Sequence, residues 1–134
     1  MVEEWRPIVG YEGRYDVSNH GAVRSNRKKG DARKIDENGE TTDLLKPIPH
    51  WRGYLRVALY SVDGTRKFKR IHSLVAEAFI GPRPAAHPTE GDYTVDHENE
   101  HKTDNVLTNL SWVTRIGNHR RHYERTRAAF IEIE

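Results

Sequence analysis

Apolar and polar positions recur with two different periods along this chain, and the change from one to the other outlines its elements. Tyr15 and Val17 alternate with polar neighbours as in a half-buried strand, Asn19-His20-Gly21 supplies turn residues, and Val23 begins a return strand. Between Tyr54 and Tyr60, Leu55, Val57 and Leu59 alternate with Arg56 and Ala58. Asp63-Gly64 then marks a turn, so Lys67 to Ile71 is expected as the partner strand of a hairpin. From His72 the period becomes helical: Leu74, Val75, Ala78 and Phe79 predict a short amphipathic helix reaching Ile80, ended by Gly81-Pro82-Arg83-Pro84. Ala85 to Asp92, carrying Pro88 and Gly91, reads as a linker.

The last third repeats the logic on a shorter scale. Val95-Asp96-His97 reads as the end of a strand, and the polar run Glu98 to Asn105 as a loop. Val106 to Val113 contains Leu107, Leu110, Trp112 and Val113, enough for a second strand. Thr114 is a good N-cap for a helix reaching about Thr126, with Gly117 its one unfavourable residue. Earlier in the chain, Arg27 to Asp43 has no periodicity and is expected to be a mobile loop that a bound partner orders.

A strand, a loop, a strand and a helix within about thirty residues can bring an Asp carboxylate, an imidazole and a helix-borne amide around one small space. Here these are Asp96, His97 and Asn118, with Asn109 in the connecting segment and His119 and His122 as further candidates on the helix. Hydrolysing a phosphodiester requires a deprotonated water, a neutralised phosphate and a stabilised leaving alkoxide. Carboxylate and amide oxygens suit a hard divalent cation and leave positions open for substrate oxygens. A neutral imidazole can accept the proton of the attacking water. An isolated Asp-His pair is usually only a solvated turn, and Asn and Asp are ordinary loop residues; the complete set in register is what points to chemistry.

Val95-Asp96-His97, then Asn109-Leu110-Ser111-Trp112-Val113-Thr114, then Asn118 together resemble the HNH (His-Asn-His) endonucleases of the phage and intron homing type. The resemblance implies an α+β fold: a small N-terminal β-rich element followed by a ββα-metal (His-Me finger) catalytic unit. It implies catalytic roles for Asp96, His97 and Asn109: Asp96 also a metal ligand, His97 the general base, and Asn109 the residue bracing the loop around it. Asn118 would be the second ligand, and Mg²⁺ or Mn²⁺ the cofactor. His72 matches the family's residue at the head of its helix, where packing is expected over catalysis. At the front, Glu4-Trp5-Arg6-Pro7-Ile8 and Tyr11-Glu12-Gly13-Arg14-Tyr15-Asp16-Val17-Ser18-Asn19-His20-Gly21-Ala22-Val23-Arg24-Ser25 are similar to the nuclease-associated modular element that precedes such units and contributes to DNA contact. The expected domains are therefore 1–60, the β-rich DNA-binding element, and 61–134, the nuclease unit. Trp5 is expected in the core, whereas Arg14 and Arg24 are not.

The 134 residues leave room for one compact domain or two subdomains sharing a modest core. Only 35% are hydrophobic and 31% are charged, so that core must be thin. With no cysteine, disulfides and a Cys-ligated structural zinc are both excluded. No apolar run approaches the roughly 20 residues of a membrane span, and no signal peptide is visible. A cytoplasmic protein of a phage or bacterial host is expected, with double-stranded DNA as partner and no membrane. The net charge of +2 is too small to argue nucleic-acid binding, but its distribution is informative. Arg24, Arg27, Lys28 and Lys29 form one cluster, Arg66, Lys67, Lys69 and Arg70 a second, and Arg115, Arg120, Arg121, Arg125 and Arg127 a third. Of these, Arg24, Arg27, Lys28, Lys69, Arg70, Arg115, Arg120 and Arg121 are the candidate DNA contacts, since clustered cations on separate elements suit a phosphate backbone.

Two function classes follow: a metal-dependent DNA endonuclease, or a DNA-binding protein that keeps the fold with little cleavage. Within the first, a monomer cuts one strand and a homodimer, as in a restriction enzyme, cuts two. No helix-turn-helix follows the last helix as it does in some homing relatives, which argues against recognition of a long site.

Overall fold

Three small antiparallel sheets and two helices make up the architecture of the computed structural model, which describes residues 1–25 and 43–133. Arg27, Lys28 and Lys29 lie outside the described residues, as does nearly all of the loop expected from Arg27 to Asp43. The first sheet has β2 (Tyr15–Ser18) between β1 (Trp5–Pro7) and β3 (Val23–Ser25), with Trp5 opposite Ser18 and Tyr15 opposite Ser25. Being central and short, β2 is buried on both faces, so the alternation that predicted it does not expose its polar residues. Asp16 and Ser18 are buried along with Tyr15 and Val17.

A buried carboxylate needs a cationic or hydrogen-bonding partner, and Arg24 supplies it. Its Nε donates to Asp16 Oδ2 at 3.1 Å while the guanidinium stacks 4.2 Å from the Trp5 ring centroid. Arg24 was expected to be a free cation for DNA without a core role; it closes this sheet instead. Arg14 stays outside the core, as expected, and donates to the Tyr60 carbonyl at 2.9 Å, tying the first sheet to the second.

The second sheet orders β4 (Ile48–Pro49), β5 (Leu55–Tyr60) and β6 (Arg66–Arg70), with Val57 opposite Lys69 and Tyr60 opposite Arg66. Val57 and Leu59 are almost fully buried, whereas every residue of β6 is exposed. Charge on an edge strand discourages pairing with another chain. The boundary expected after residue 60 falls at the end of β5, inside the hairpin. One hydrophobic cluster runs across it, joining Ile8, Tyr15 and Val17 to Val57 and Leu59, then to Ile71, Leu74 and Val75 of α1 (Ile71–Phe79), and to Val95 and Leu110.

The third sheet pairs β7 (Tyr93–His97) with β8 (Leu110–Thr114), Val95 opposite Trp112 and His97 opposite Leu110. The strand expected from Val106 begins later, because Leu107–Asn109 forms a 3₁₀ turn that turns Asn109 back into the loop. Thr114 caps α2 (Arg115–Ile133), its Oγ1 accepting from Gly117 N at 3.0 Å. A Cβ at Gly117 would lie 2.8 Å from that same Oγ1, so the helix-weakening glycine is what allows the cap to close. The helix continues well past Thr126.

Candidate active site

The end of β7 sends successive side chains to opposite sides, as a strand must. Asp96 turns towards α2 and His97 towards α1, and both are buried, 6% and 5% exposed. On α2, Asn118, Arg121, His122 and Arg125 recur at spacings of three and four, which aligns them on one face. A cavity of about 590 Å³ lies between, lined by Asp96, His97, Asn118, His119, His122 and Arg125, with Tyr54, Val95, Glu100 and Lys102 completing the wall. Asp96, His97 and Asn118 are thus brought together from two elements, with His119 and His122 beside them. His101 is exposed and is not among the lining residues.

Asp96 Oδ2 is held by two guanidinium groups, Arg121 Nη1 at 3.0 Å and Arg125 Nη2 at 3.2 Å. Burial pulls Arg125 down, but its hydrogen bond to Asp96 and the charges of Asp96 and Glu100 outweigh that and leave its guanidinium above its ordinary range. Arg121, expected to face DNA, instead contacts Asp96, Glu98 and Ser111. Arg120 has a side chain 63% exposed and, among the described residues, reaches Glu90 at 3.4 Å. Arg115, Lys69 and Arg70 are exposed, Arg70 lying 5.0 Å from the Tyr54 ring centroid.

Asn109 is absent from the cavity wall. Its Nδ2 donates to Asn99 Oδ1 and to the Asp104 carbonyl, at 2.9 and 2.8 Å, and its Oδ1 accepts from Asn99 N at 3.0 Å. It therefore cross-braces the loop between β7 and β8. Within that loop Glu100 has φ 63°, a left-handed backbone uncommon for a residue with a Cβ. Its carboxylate reaches His122 Nδ1 at 3.3 Å and Arg125 Nη1 at 3.5 Å.

His72 packs edge-on to His97, ring centroids 5.3 Å apart, and Tyr54 closes the aromatic group at 5.1 Å from His72 and 6.0 Å from His97. Burial, aided by His97 and Arg70, pushes the His72 imidazole down to about 3, and its Nδ1 has no hydrogen-bond partner among the described residues. At the head of α1 the ring packs against Tyr54 and His97.

Sequence reasoning missed Tyr54, Glu100, Lys102 and Asn105. Lys102 Nζ donates to the Arg52 carbonyl at 3.0 Å and lies 4.9 Å from the Tyr54 ring centroid, bringing the turn before β5 to the rim of the cavity. Asn105 is buried with its Oδ1 3.0 Å from His97 Nε2. Nothing in the linear pattern separates Asn105 from Asn99, since both read as loop residues.

Residues 3–60 match the NUMOD4 motif and residues 69–120 match the HNH endonuclease family. The chain is 38% identical over 111 residues to the DNA endonuclease I-HmuI of Bacillus phage SP01, covering 83% of this chain and 52% of that protein. It is 33% identical over 114 residues to an uncharacterized HNH endonuclease of Acanthamoeba polyphaga mimivirus, 84% of this chain but 24% of that one. It therefore spans about half the length of the phage relative, and less of the viral one. A solved structure of the HNH homing endonuclease I-HmuI, describing its DNA binding and cleavage, superposes with a TM-score of 0.66 at 33% identity, covering 96% of this chain and 65% of that one. With a NUMOD4 motif in front and the Asp-His pair, bracing Asn and helix-borne Asn on one strand-loop-strand-helix unit, the chain belongs to the HNH endonuclease family.

Proposed function

We propose that this protein is a metal-dependent DNA endonuclease of the phage or mobile-element homing type, acting inside a phage-infected or bacterial cell. The observation that carries the reading is the convergence of Asp96, His97 and Asn118 on one cavity in a chain with HNH and NUMOD4 matches and a fold like that of a solved HNH homing endonuclease. DNA is the substrate the phage relative's name suggests, and its double-stranded form is the one proposed.

Among the described residues no three His, Cys, Asp or Glu side chains group as metal ligands. Asp96 and the Asn118 amide oxygen offer hard oxygen donors from adjacent elements, a set that fits Mg²⁺ or Mn²⁺ and not a thiolate- or imidazole-bound zinc. These two would hold the cation, which supplies charge neutralisation at the scissile phosphate and leaving oxygen. With so few protein donors, affinity should be low before the phosphate arrives. Arg121 and Arg125 hold the Asp96 carboxylate in place at the cavity wall through Oδ2.

His97, the remaining imidazole in the wall that is buried, takes the proton of the attacking water. Asn109 acts at one remove by keeping the loop in register. Lys102 at the rim, with Lys69 and Arg70 on the exposed edge strand and Arg115 and Arg120 on α2, supplies positive charge for the phosphate backbone.

Supercoiled plasmid tests the proposal. Purified protein with Mg²⁺ or Mn²⁺ is expected to convert it to nicked circles, since one site per chain cuts one strand, with linear product marking a dimer or sequential cuts. Asp96→Ala should bind DNA and cut nothing. Intact plasmid with the unaltered protein and either ion would sink the proposal in favour of a DNA-binding protein.

A further inference from the structure

The loop between β7 and β8 carries a second buried amide whose role is separate from that of Asn109. Asn105 is 5% exposed, and its Oδ1 sits 3.0 Å from His97 Nε2 in a fully buried contact. A carbonyl oxygen can only accept, so the ring nitrogen facing it must carry the proton; a neutral imidazole has one such proton, which leaves Nδ1 bare. We infer that Asn105 is a positioning residue that holds His97 as the Nε2–H tautomer with Nδ1 as its basic nitrogen, and that the N-terminal module in turn holds Asn105. The inference rests on the reading of His97 as the general base.

The first half stands on the packing of the ring. His72 lies perpendicular to it and Tyr54 flanks it, so the imidazole is fixed on its faces while Asn105 fixes which edge points inward. Rotating the ring would remove its hydrogen bond to Asn105 and strand a buried polar nitrogen, which is unfavourable.

The second half stands on contacts that cross from the first sheet. The Asn19 carbonyl accepts from Leu107 N at 2.8 Å, two residues beyond Asn105. Gly21, at φ +87°, approaches so closely that a Cβ there would lie 2.9 Å from both the Cβ and the carbonyl oxygen of Asn105. Asn19 is itself anchored, its Oδ1 accepting from Glu4 N at 2.9 Å and its Nδ2 donating to the Val2 carbonyl at 3.0 Å. A continuous path of contacts therefore runs from the Asn19 to Gly21 turn through Asn105 to the His97 ring. The NUMOD4 part of the chain does more than approach DNA: it is part of the scaffold that orients the base.

The experiment is nitrogen-15 NMR of the imidazoles in the full chain, combined with single-turnover cleavage. Free protein at neutral pH should show His97 with a protonated, exchange-protected Nε2 and an unprotonated Nδ1. Asn105→Leu, of nearly equal size without an acceptor, should lose that protection and lower the cleavage rate by about 10- to 100-fold, the usual range for removing a ring-orienting partner, without changing the DNA concentration needed for half-maximal rate. Asn105→Asp keeps an acceptor and should restore both. Gly21→Asn adds a Cβ while tolerating the positive φ, and should disturb the His97 signals with Asn105 intact. A proton on Nδ1 in the unaltered protein, or an unchanged pattern in Asn105→Leu, overturns the positioning role; unchanged His97 signals in Gly21→Asn overturn the part given to the module. Because the NMR readout requires no cleavage, the expected tautomer in a protein that never cuts DNA would refute the endonuclease reading and leave the positioning intact.

Discussion

Acidification should destabilise this fold through His72 by an amount the structure allows to be worked out. His72 is 4% exposed and held neutral, its imidazole pushed down to about 3 by burial first and by His97 and Arg70 next. In the unfolded chain a histidine titrates near ~6.5. Between these values the unfolded state binds a proton that the folded state refuses, so stability is fully present above the upper value and is lost as pH falls towards the lower one. At 1.36 kcal/mol per unit the whole window is worth about 5 kcal/mol, of which about 2 kcal/mol is lost by pH 5. Against a total of about 5–15 kcal/mol for a small domain and a urea dependence of about 1–3 kcal/mol per molar, the midpoint should fall by about 1 M. His72→Phe keeps a ring between α1 and β7 but cannot titrate. Urea unfolding followed by tryptophan fluorescence at pH 7, 6 and 5 should therefore show the wild type losing about 2 kcal/mol relative to the variant, with other acid-sensitive groups common to both cancelling. Parallel pH dependences for the two proteins would refute the reasoning.

Three other outcomes are expected. His97→Ala should slow single-turnover cleavage by about 100- to 10,000-fold, the range for losing a general base, while a wild-type cation affinity by calorimetry confirms that only the base is gone. Asn118→Ala should abolish cleavage and Asn118→Asp retain part of it, assayed on plasmid; greater damage from His119→Ala or His122→Ala would move the second ligand to another residue on this face of α2. Arg120→Ala and Arg121→Ala should behave differently in DNA binding titrated against salt. Exposed Arg120 should lower the log-log slope by about one unit if it meets a phosphate, whereas Arg121, engaged with Asp96 and Glu98, should leave the slope of the free protein nearly unchanged.

The sequence by itself determined the elements that local chemistry dictates. Leu55, Val57 and Leu59 at period two made β5, Leu74, Val75 and Phe79 at helical spacing made α1, and Thr114 opened α2, because side-chain direction along a strand or helix follows from backbone geometry alone. The Asp96-His97 pair, Asn109 and Asn118 could be proposed from the sequence because a short strand-loop-strand-helix unit keeps such groups close in the chain. What only the tertiary structure decided involves pairs far apart. Arg24 covers Asp16 because β2 became the central strand, and Arg121 turns inward because Asp96 is buried beneath α2 and needs a counter-charge. Charge alone announces a cation, and its partner depends on which carboxylates the fold removes from water. Asn105 is the plainest case. It reads as one more loop residue until the Asn19 to Gly21 turn, more than eighty residues earlier, closes over it and seats its amide on the His97 ring, a contact that chain folding makes and no local pattern encodes.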